Sequence, residues 1–190
     1  TIVASRMAIV RNAAGSGGPL RLHGEDLEPL RVLANGQSVS FRSEAGELVI
    51  DNPPEGEFTL EIRNTCAPEK NTQLSGLYTS GGGFFTQCEA EGFRRITYFL
   101  DRPDVMAVYT VTLRADKALF PVLLANGNPV AAGDEADLLV LAGEGLLQPA
   151  EELLAVLAAR LELDAGVDVL GVLAEDHHVG ELGVLDGARH

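Results

Sequence analysis

The residues best equipped for chemistry lie in one stretch, which reads TQCEAEGFRRITYFLDRPDV from Thr86 to Val105. Every second position carries a polar group, namely Gln87, Glu89 and Glu91, so an extended segment would place two carboxylates and an amide on one face. Such a face is a receptor for a cation, for example a protonated amine. The same pattern also suits a polar strand edge at the rim of a sheet, and periodicity alone favours this second interpretation.

The same stretch contains a candidate nucleophile, Cys88. The neighbouring Arg94 and Arg95 would favour its thiolate, but no histidine lies within thirty residues of it to act as a base. We therefore expect a structural thiol. The spacing of Cys66 and Cys88 matches no zinc ribbon and no CxxC motif, and we interpret both as reduced thiols.

The histidines predict no metal site in this chain. Neither HExxH nor HxxEH occurs among the four histidines, which are His23, His177, His178 and His190. Glu175 and Asp176 precede His177 and His178, and the four together are interpreted as a solvated charged turn. The segment SGGGFF lacks the lysine of a phosphate-binding loop, so Gly81, Gly82 and Gly83 are expected to form a flexible or tight connection.

Composition limits the elements that position these residues. The chain has 190 residues, enough for one domain with an extension, and 46% of them are hydrophobic. Its net charge of −14 argues against nucleic acid or an anionic membrane as a partner. No apolar run is long enough to span a bilayer and no signal peptide is recognisable, so we expect a cytoplasmic protein.

Residues 1–133 are predicted to form a mainly β domain of the sandwich type. Short alternating segments are separated by turn signals, with Asn-Gly pairs in RVLANGQSVSF and LLANGN and a breaker in DNPPEG. The segment VMAVYTVTLRA alternates along its whole length. The first segment, TIVASRMAIV, begins without a methionine, as if the chain were cut within a strand.

Residues 134–190 form a tail of different composition. Thirteen acids face only Arg160 and Arg189 there, so the tail carries −11 of the net charge. QPAEELLAVLAARLEL has a helical pattern with Pro149 near its first turn, and DVLGVLAED suits a short buried strand. We therefore expect a short helix-containing extension.

The residue types of the tail suggest an origin for it. From Pro129 onward only ten types occur, and all have codons that can begin with G or C. One hypothesis is an antisense or misassembled translation of a GC-rich gene, and the alternative is a genuine acidic extension. The nucleotide sequence around codon 134 distinguishes them, because coding potential on the opposite strand is expected only under the first.

The central residues resemble a known family. GLYTS, TQCEAEGFRRITYFLDRPDV and LLANGNPVA closely resemble the N-terminal domain of bacterial aminopeptidase N, a zinc-dependent metallopeptidase, and PLRLHGEDL, LVI and FTLEI are similar more weakly. The resemblance covers about residues 1–134 and implies a saddle-like β-domain.

The resemblance also implies a mechanism and two site residues. Members of the family remove amino-terminal residues from peptides, with zinc held by an HExxH helix and a later glutamate in the domain that follows. Zinc-bound water attacks the first peptide bond, and the glutamate of HExxH acts as general base. Glu89 falls at the position that binds the substrate's α-amine, and Gln87 falls at a position lining the pocket for the first side chain. Glu91, Arg94, Asp101 and Arg102 are expected to hold the loop in place.

The family motifs that carry catalysis do not occur in this sequence. HExxH, the third zinc ligand and the GAMEN-type loop are missing, so we predict no zinc and no peptidase activity in this chain alone. The leading interpretation is a fragment of a zinc aminopeptidase whose partners are peptides and the missing catalytic domain. The alternative is a non-catalytic β-sandwich interaction module.

Overall fold

The structure is a computed structural model that describes residues 1–12, 17–105, 107–135, 138–147, 156–158 and 170–173. The described chain is mainly strand, which confirms the predicted fold class. The strands are β1 (Ile2–Val10), β2 (Leu20–His23), β3 (Glu28–Ala34), β4 (Gln37–Ser38), β5 (Arg42–Glu44), β6 (Glu47–Ile50), β7 (Glu57–Thr65), β8 (Gly76–Ser80), β9 (Gly83–Gln87), β10 (Ala107–Asp116), β11 (Val122–Leu124), β12 (Asn128–Glu135), β13 (Leu138–Leu147), β14 (Val156–Ala158) and β15 (Leu170–Leu173). Two 3-10 turns cover Pro68–Lys70 and Phe93–Arg95. Within the ranges described, no helix is long and apolar enough to cross a membrane.

The strands form one large sheet and two small ones. The large sheet has the order β12-β13-β10-β15-β1-β7-β3-β4. The small sheets have the orders β11-β14-β9-β8 and β2-β6-β5. Strand β1 is antiparallel to β7 along its whole length and parallel to β15.

Alternation of apolar and polar residues explains the long strands. In β7, Phe58, Leu60 and Ile62 are buried and alternate with more exposed residues. In β10, Val111 and Leu113 are buried in the same way. A period of two puts alternate side chains on one face of a sheet, and that face becomes the core side.

The tight turn predicted at Asn35 and Gly36 is confirmed, and of the two alternatives for the glycine segment, flexible or tight, the structure shows a tight turn. Asn35 and Gly36 join β3 to β4 with φ of 49° and 73°. Gly81 and Gly82 join β8 to β9 with φ of 54° and 82°. Positive φ at both central residues is the geometry that favours Asn-Gly and Gly-Gly in two-residue hairpins.

Two hydrophobic clusters hold the sheets together. The first joins β1 and β10 of the large sheet to β8, β11 and the segment after β9, and its buried members are Val3, Cys66, Leu77, Cys88, Phe93, Ile96, Tyr109, Val111, Leu113, Ala115, Phe120 and Leu123. The second joins β3 and β7 to β2 and β6, and its members are Leu22, Val32, Ala34, Leu48, Ile50, Phe58, Leu60, Ile62 and Tyr98. Val3 of the first cluster pairs with Asn64, and both are fully buried. Asn64 lies two positions after Ile62 of the second cluster, so it shares a face of β7 with Ile62. The two clusters therefore lie on the same face of the large sheet.

The tail contributes strands to these sheets. Strand β13 pairs with β10 and β12, and β15 lies between β1 and β10. The strand predicted in DVLGVLAED is confirmed at Leu170–Leu173. The predicted helix is wrong at Val156–Ala158, which pairs with β11 instead, and the rest of that prediction lies outside the described residues. Strand β12 runs through residue 133, and the division into residues 1–133 and 134–190 stays a prediction.

Candidate functional site

The chain leaves its sheet at the start of the candidate site. Strand β9 ends at Gln87, and residues 88–92 form a loop with bends at positions 89 to 91 and a cis peptide between Glu89 and Ala90. The extended segment expected from alternation therefore stops at Gln87. At the other end of the loop, the backbone N–H groups of Gly92 and Arg94 donate hydrogen bonds to Asp101.

The three candidate side chains of this loop have different surroundings. Glu89 is exposed, and its carboxylate forms no hydrogen bond or ion pair with the residues that the structure describes. Gln87 is half-buried at the end of β9. Glu91 is bound by Arg94, whose Nη2 lies 2.7 Å from its Oε2. Glu89 thus keeps a carboxylate available for a ligand, whereas Glu91 does not.

Asp101 lies beneath the loop and is fully buried. Its Oδ2 accepts hydrogen bonds from the backbone N–H of Gly92 at 3.1 Å, the backbone N–H of Arg94 at 3.1 Å and Nε of Arg94 at 2.7 Å. Its Oδ1 has no hydrogen-bond partner in the described part of the chain. Three donors on one oxygen join the end of the loop to the segment that follows it.

The two arginines extend this connection to a distant part of the chain. Arg94 Nη1 lies 3.7 Å from Oε1 of Glu25. Arg95 binds Glu25 at 2.5 Å and Asp26 at 2.6 Å. Neither acid was predicted as part of the site, because nothing in the spacing of the sequence links positions about seventy residues apart.

The expectation that four residues hold the loop is met in three of them. Glu91, Arg94 and Asp101 form the contacts described above. Arg102 instead forms an ion pair with the exposed Asp104, with 2.9 Å between Nε and Oδ1. Arg102 therefore contacts no group of the loop through any hydrogen bond that the structure describes.

An open cleft of about 270 Å³ lies against this charged cluster. Its walls are polar, and the lining residues are Glu25, Gln73, Ser75, Glu91, Gly92, Arg94 and Arg95. The charged members of the lining are paired with one another. Glu89 and Gln87 do not line the cleft, so it is distinct from the predicted amine site.

Both thiols are buried, as expected for structural cysteines. Both are free, with 2% of Cys88 and 7% of Cys66 exposed. Burial raises the pKa of Cys88 to about 12, with a further contribution from the charge of Asp101. Burial likewise raises the pKa of Cys66 to about 11. A thiol with such a pKa is almost fully protonated at neutral pH, so Cys88 lacks the thiolate that a nucleophile needs.

A metal site was not expected in this chain. Among the residues that the structure describes, no three His, Cys, Asp or Glu side chains lie close enough to hold a metal ion. The histidine pair His177 and His178 lies outside the described residues. The described side chains therefore do not fit a zinc ion.

Comparison with known proteins assigns the loop and its sheets to a family. Residues 22–140 match the Peptidase M1 N-terminal domain. The chain belongs to the peptidase M1 family. The match includes the whole of the loop at Glu89 and both small sheets except β14 and the first residues of β2.

Curated relatives of this M1 domain are aminopeptidases. This chain is 52% identical over 135 residues to aminopeptidase N of Escherichia coli, and the matched segment covers 70% of this chain and 15% of the relative. It is 46% identical over 127 residues to aminopeptidase N of Caulobacter vibrioides, with 65% and 14% covered. The chain therefore spans about one seventh of the length of the curated relatives that it matches.

Solved M1 structures have the same fold. Aminopeptidase A of Legionella pneumophila, solved in complex with aspartic acid, superposes with a TM-score of 0.74 at 26% identity and covers 85% of this chain and 21% of that one. An M1 zinc metallopeptidase of Deinococcus radiodurans, solved with a Tyr-Ser-Ala substrate, has a TM-score of 0.66 at 16% identity and covers 82% and 40%. The second likeness concerns the fold alone.

Proposed function

We propose that this M1 domain belongs to a zinc aminopeptidase and supplies the carboxylate that binds the α-amine of the peptide. In this proposal Glu89 binds the amine, and Gln87 lines the pocket for the first side chain of the peptide. The observation that carries it is the exposed Glu89 carboxylate without a partner in the described chain, beside acids that are all paired. The aminopeptidase names of the relatives support the same assignment.

The charge of the ligand explains how such a site would select peptide ends. The α-amine of a peptide is largely a cation at neutral pH, whereas an internal peptide nitrogen carries no charge. A hydrogen bond between charged groups contributes about 1.5–3 kcal/mol, and excluding water around it strengthens the attraction. A single carboxylate at this point would therefore favour removal of terminal residues over internal cleavage.

Hydrolysis itself would come from the catalytic domain that this chain does not include. Zinc, when bound there, activates water and polarises the peptide carbonyl. The described residues of this chain offer no donor set for zinc, so their part in the proposal is limited to binding and orienting the peptide.

The test is a chimera of E. coli aminopeptidase N in which residues 1–133 of this chain replace the corresponding segment. Glu89→Gln removes the charge and keeps the size, and we expect kcat/KM on aminoacyl-anilides to fall about 10- to 100-fold, mainly through KM. Glu57→Gln is the matched control, because Glu57 is also exposed and its carboxylate forms no hydrogen bond or ion pair with the described residues. Unchanged kcat/KM in Glu89→Gln would contradict the proposal.

The same chimera also tests the alternative function. A non-catalytic interaction module would give a folded, zinc-loaded chimera without turnover. Turnover comparable to that of the parent enzyme would favour the aminopeptidase.

A further inference from the structure

We propose that Asp101 is the positioning residue that fixes the loop between Gln87 and Gly92 and thereby places Glu89. Its consequence for peptides rests on the proposed function, whereas its hold on the loop does not. Asp101 reaches no ligand, since its side chain is fully buried. It would act only through the groups that it binds.

The hydrogen bonds of Asp101 are concentrated on the segment that ends the loop. One oxygen, Oδ2, accepts from the backbone N–H groups of Gly92 and Arg94 and from Nε of Arg94. Nη2 of Arg94 also donates to the backbone carbonyl of Asp101 at 2.7 Å. Charged hydrogen bonds of this kind are shorter and stronger than neutral ones. Together they hold two backbone positions and one side chain in a single geometry.

Packing at Gly92 passes this restraint to the start of the loop. A Cβ at position 92 would lie 2.7 Å from the carbonyl oxygen of Gln87 and 3.0 Å from Cα of Cys88. The two ends of the loop are therefore in direct contact, with Glu89 between them. A displacement of Gly92 would displace Gln87 or open the loop, and either change would move Glu89.

The segment that follows the loop is itself attached to the large sheet. Thr97 Oγ1 donates to Oδ1 of Asn64 at 2.9 Å, and Nδ2 of Asn64 donates to the carbonyl of Ile96 at 3.0 Å. Asn64 and Thr97 are almost fully buried. Because buried polar groups that are satisfied rigidify their surroundings, Asp101 holds the loop against a fixed base.

The first experiment measures the loop directly in the 190-residue chain by amide hydrogen exchange. Asp101→Asn keeps the size of the side chain and removes its charge. We expect exchange at Gly92 and Arg94 to accelerate at least about tenfold, while Ile62 in β7 stays unchanged, because hydrogen bonds to a neutral amide oxygen are roughly half as strong as hydrogen bonds to a carboxylate. Asp104→Asn is the matched control, since Asp104 is exposed and its ion pair with Arg102 lies outside the loop. Unchanged exchange at Gly92 and Arg94 would overturn the inference.

A second variant keeps the test valid if Asp101→Asn fails to fold. Arg94→Lys keeps the positive charge but loses the Nε and Nη2 donors that bind residue 101. Because Asp101 then loses the side chain that binds its Oδ2 and its carbonyl, we expect exchange at Gly92 to accelerate as well, by a smaller factor. Protection equal to that of the unaltered chain would again overturn the inference.

The second experiment asks whether Asp101 acts through Glu89, by a double-mutant cycle in the chimera. If it does, Asp101→Asn lowers kcat/KM at least about tenfold in the unaltered chimera and less than threefold when Glu89→Gln is already present. Equal effects in both backgrounds would mean a general structural role and would overturn the positioning of Glu89. If Glu89→Gln alone has no effect, the proposed function fails, and hydrogen exchange alone decides the hold of Asp101 on the loop.

Discussion

Two acids twelve positions apart, Glu89 and Asp101, lie in opposite environments. Glu89 is exposed and has no partner among the described residues, whereas Asp101 is buried under three donors. A fully buried carboxylate cannot reach a ligand, whereas an exposed carboxylate without a partner in the described chain can still accept hydrogen bonds from one. The local composition, rich in acids and arginines, does not distinguish these roles. The backbone geometry of the loop does.

The buried thiols predict a loss of stability at alkaline pH. Cys66 and Cys88 have a pKa raised to about 11 and about 12 in the folded chain, and an unfolded thiol ionises near pH 9. Above pH 9 the unfolded state loses protons that the folded state keeps, so the free energy of unfolding falls as pH rises. Between pH 9 and pH 10 we expect a fall of about 1 kcal/mol for each thiol.

Urea unfolding at the two pH values measures this fall. Variants with Cys66→Ala and Cys88→Ala remove the ionising groups and are compared with the unaltered chain. The pH dependence over this interval is expected to shrink by about half with each substitution. An identical dependence in the double variant would show that other groups cause the fall.

At the scale of elements, the end of β2 is packed tightly against the segment that follows the loop. His23 and Phe99 form an isolated β-bridge with N–O distances of 2.8 and 3.1 Å. A Cβ at Gly24 would lie 2.2 Å from Cε1 of Tyr98, which is almost fully buried. Glycine at position 24 is therefore needed because there is no space for a side chain.

Gly24→Ala is expected to destabilise the chain by about 1–3 kcal/mol, because Tyr98 or the backbone of β2 must move to make room. Urea unfolding gives the difference. Gly133→Ala is the matched control, since a Cβ there meets nothing within 4 Å. Equal stability of the two variants would contradict the argument.

Local signals in the sequence predicted the strands and hairpins well. The Asn35-Gly36 turn and the alternation of β10 depend only on residues close in the chain, so they can be recognised without tertiary information. The helix predicted around Val156–Ala158 was wrong, because the structure there depends on residues that are distant in the chain. There, pairing with β11 and β9 overrides a local propensity that favours a helix.

Within the site, the candidate binding residue could be identified from the sequence, whereas the conformation of the loop that carries it could not. The resemblance drew attention to Glu89, and its exposure agrees with a role in binding, although that role stays a proposal. The departure from an extended strand after Gln87 could not be read from alternation, because alternation carries no information on contacts such as the hydrogen bond from Gly92 to Asp101. The pairing of Arg95 with Glu25 and Asp26 joins positions about seventy residues apart, which no periodicity encodes.

At the scale of the whole molecule, this chain corresponds to a small part of the curated relatives that it matches. It spans about 15% of the E. coli relative. We propose that binding of the peptide end and hydrolysis are divided between this domain and another one. Such a division requires the 190-residue chain to be catalytically silent.

Added zinc tests this requirement. We expect the 190-residue chain to hydrolyse no aminoacyl-anilide in the presence of zinc, because HExxH does not occur in its sequence. The midpoint of its thermal unfolding is also expected to stay within about 1 °C, since a metal that binds only the folded state raises it. Turnover that survives Glu89→Ala, or a clear rise in the midpoint, would contradict the division.

The hydrogen bonds around Asp101 also have a consequence for how the chain folds. They join residues only seven to nine positions apart, whereas Arg95 reaches acids 69 and 70 positions away. Closing the shorter loop costs about 2 kcal/mol less chain entropy. We therefore expect the segment from Gln87 to Asp101 to take its shape early in folding, and to dock onto Glu25 and Asp26 afterwards as an already formed unit.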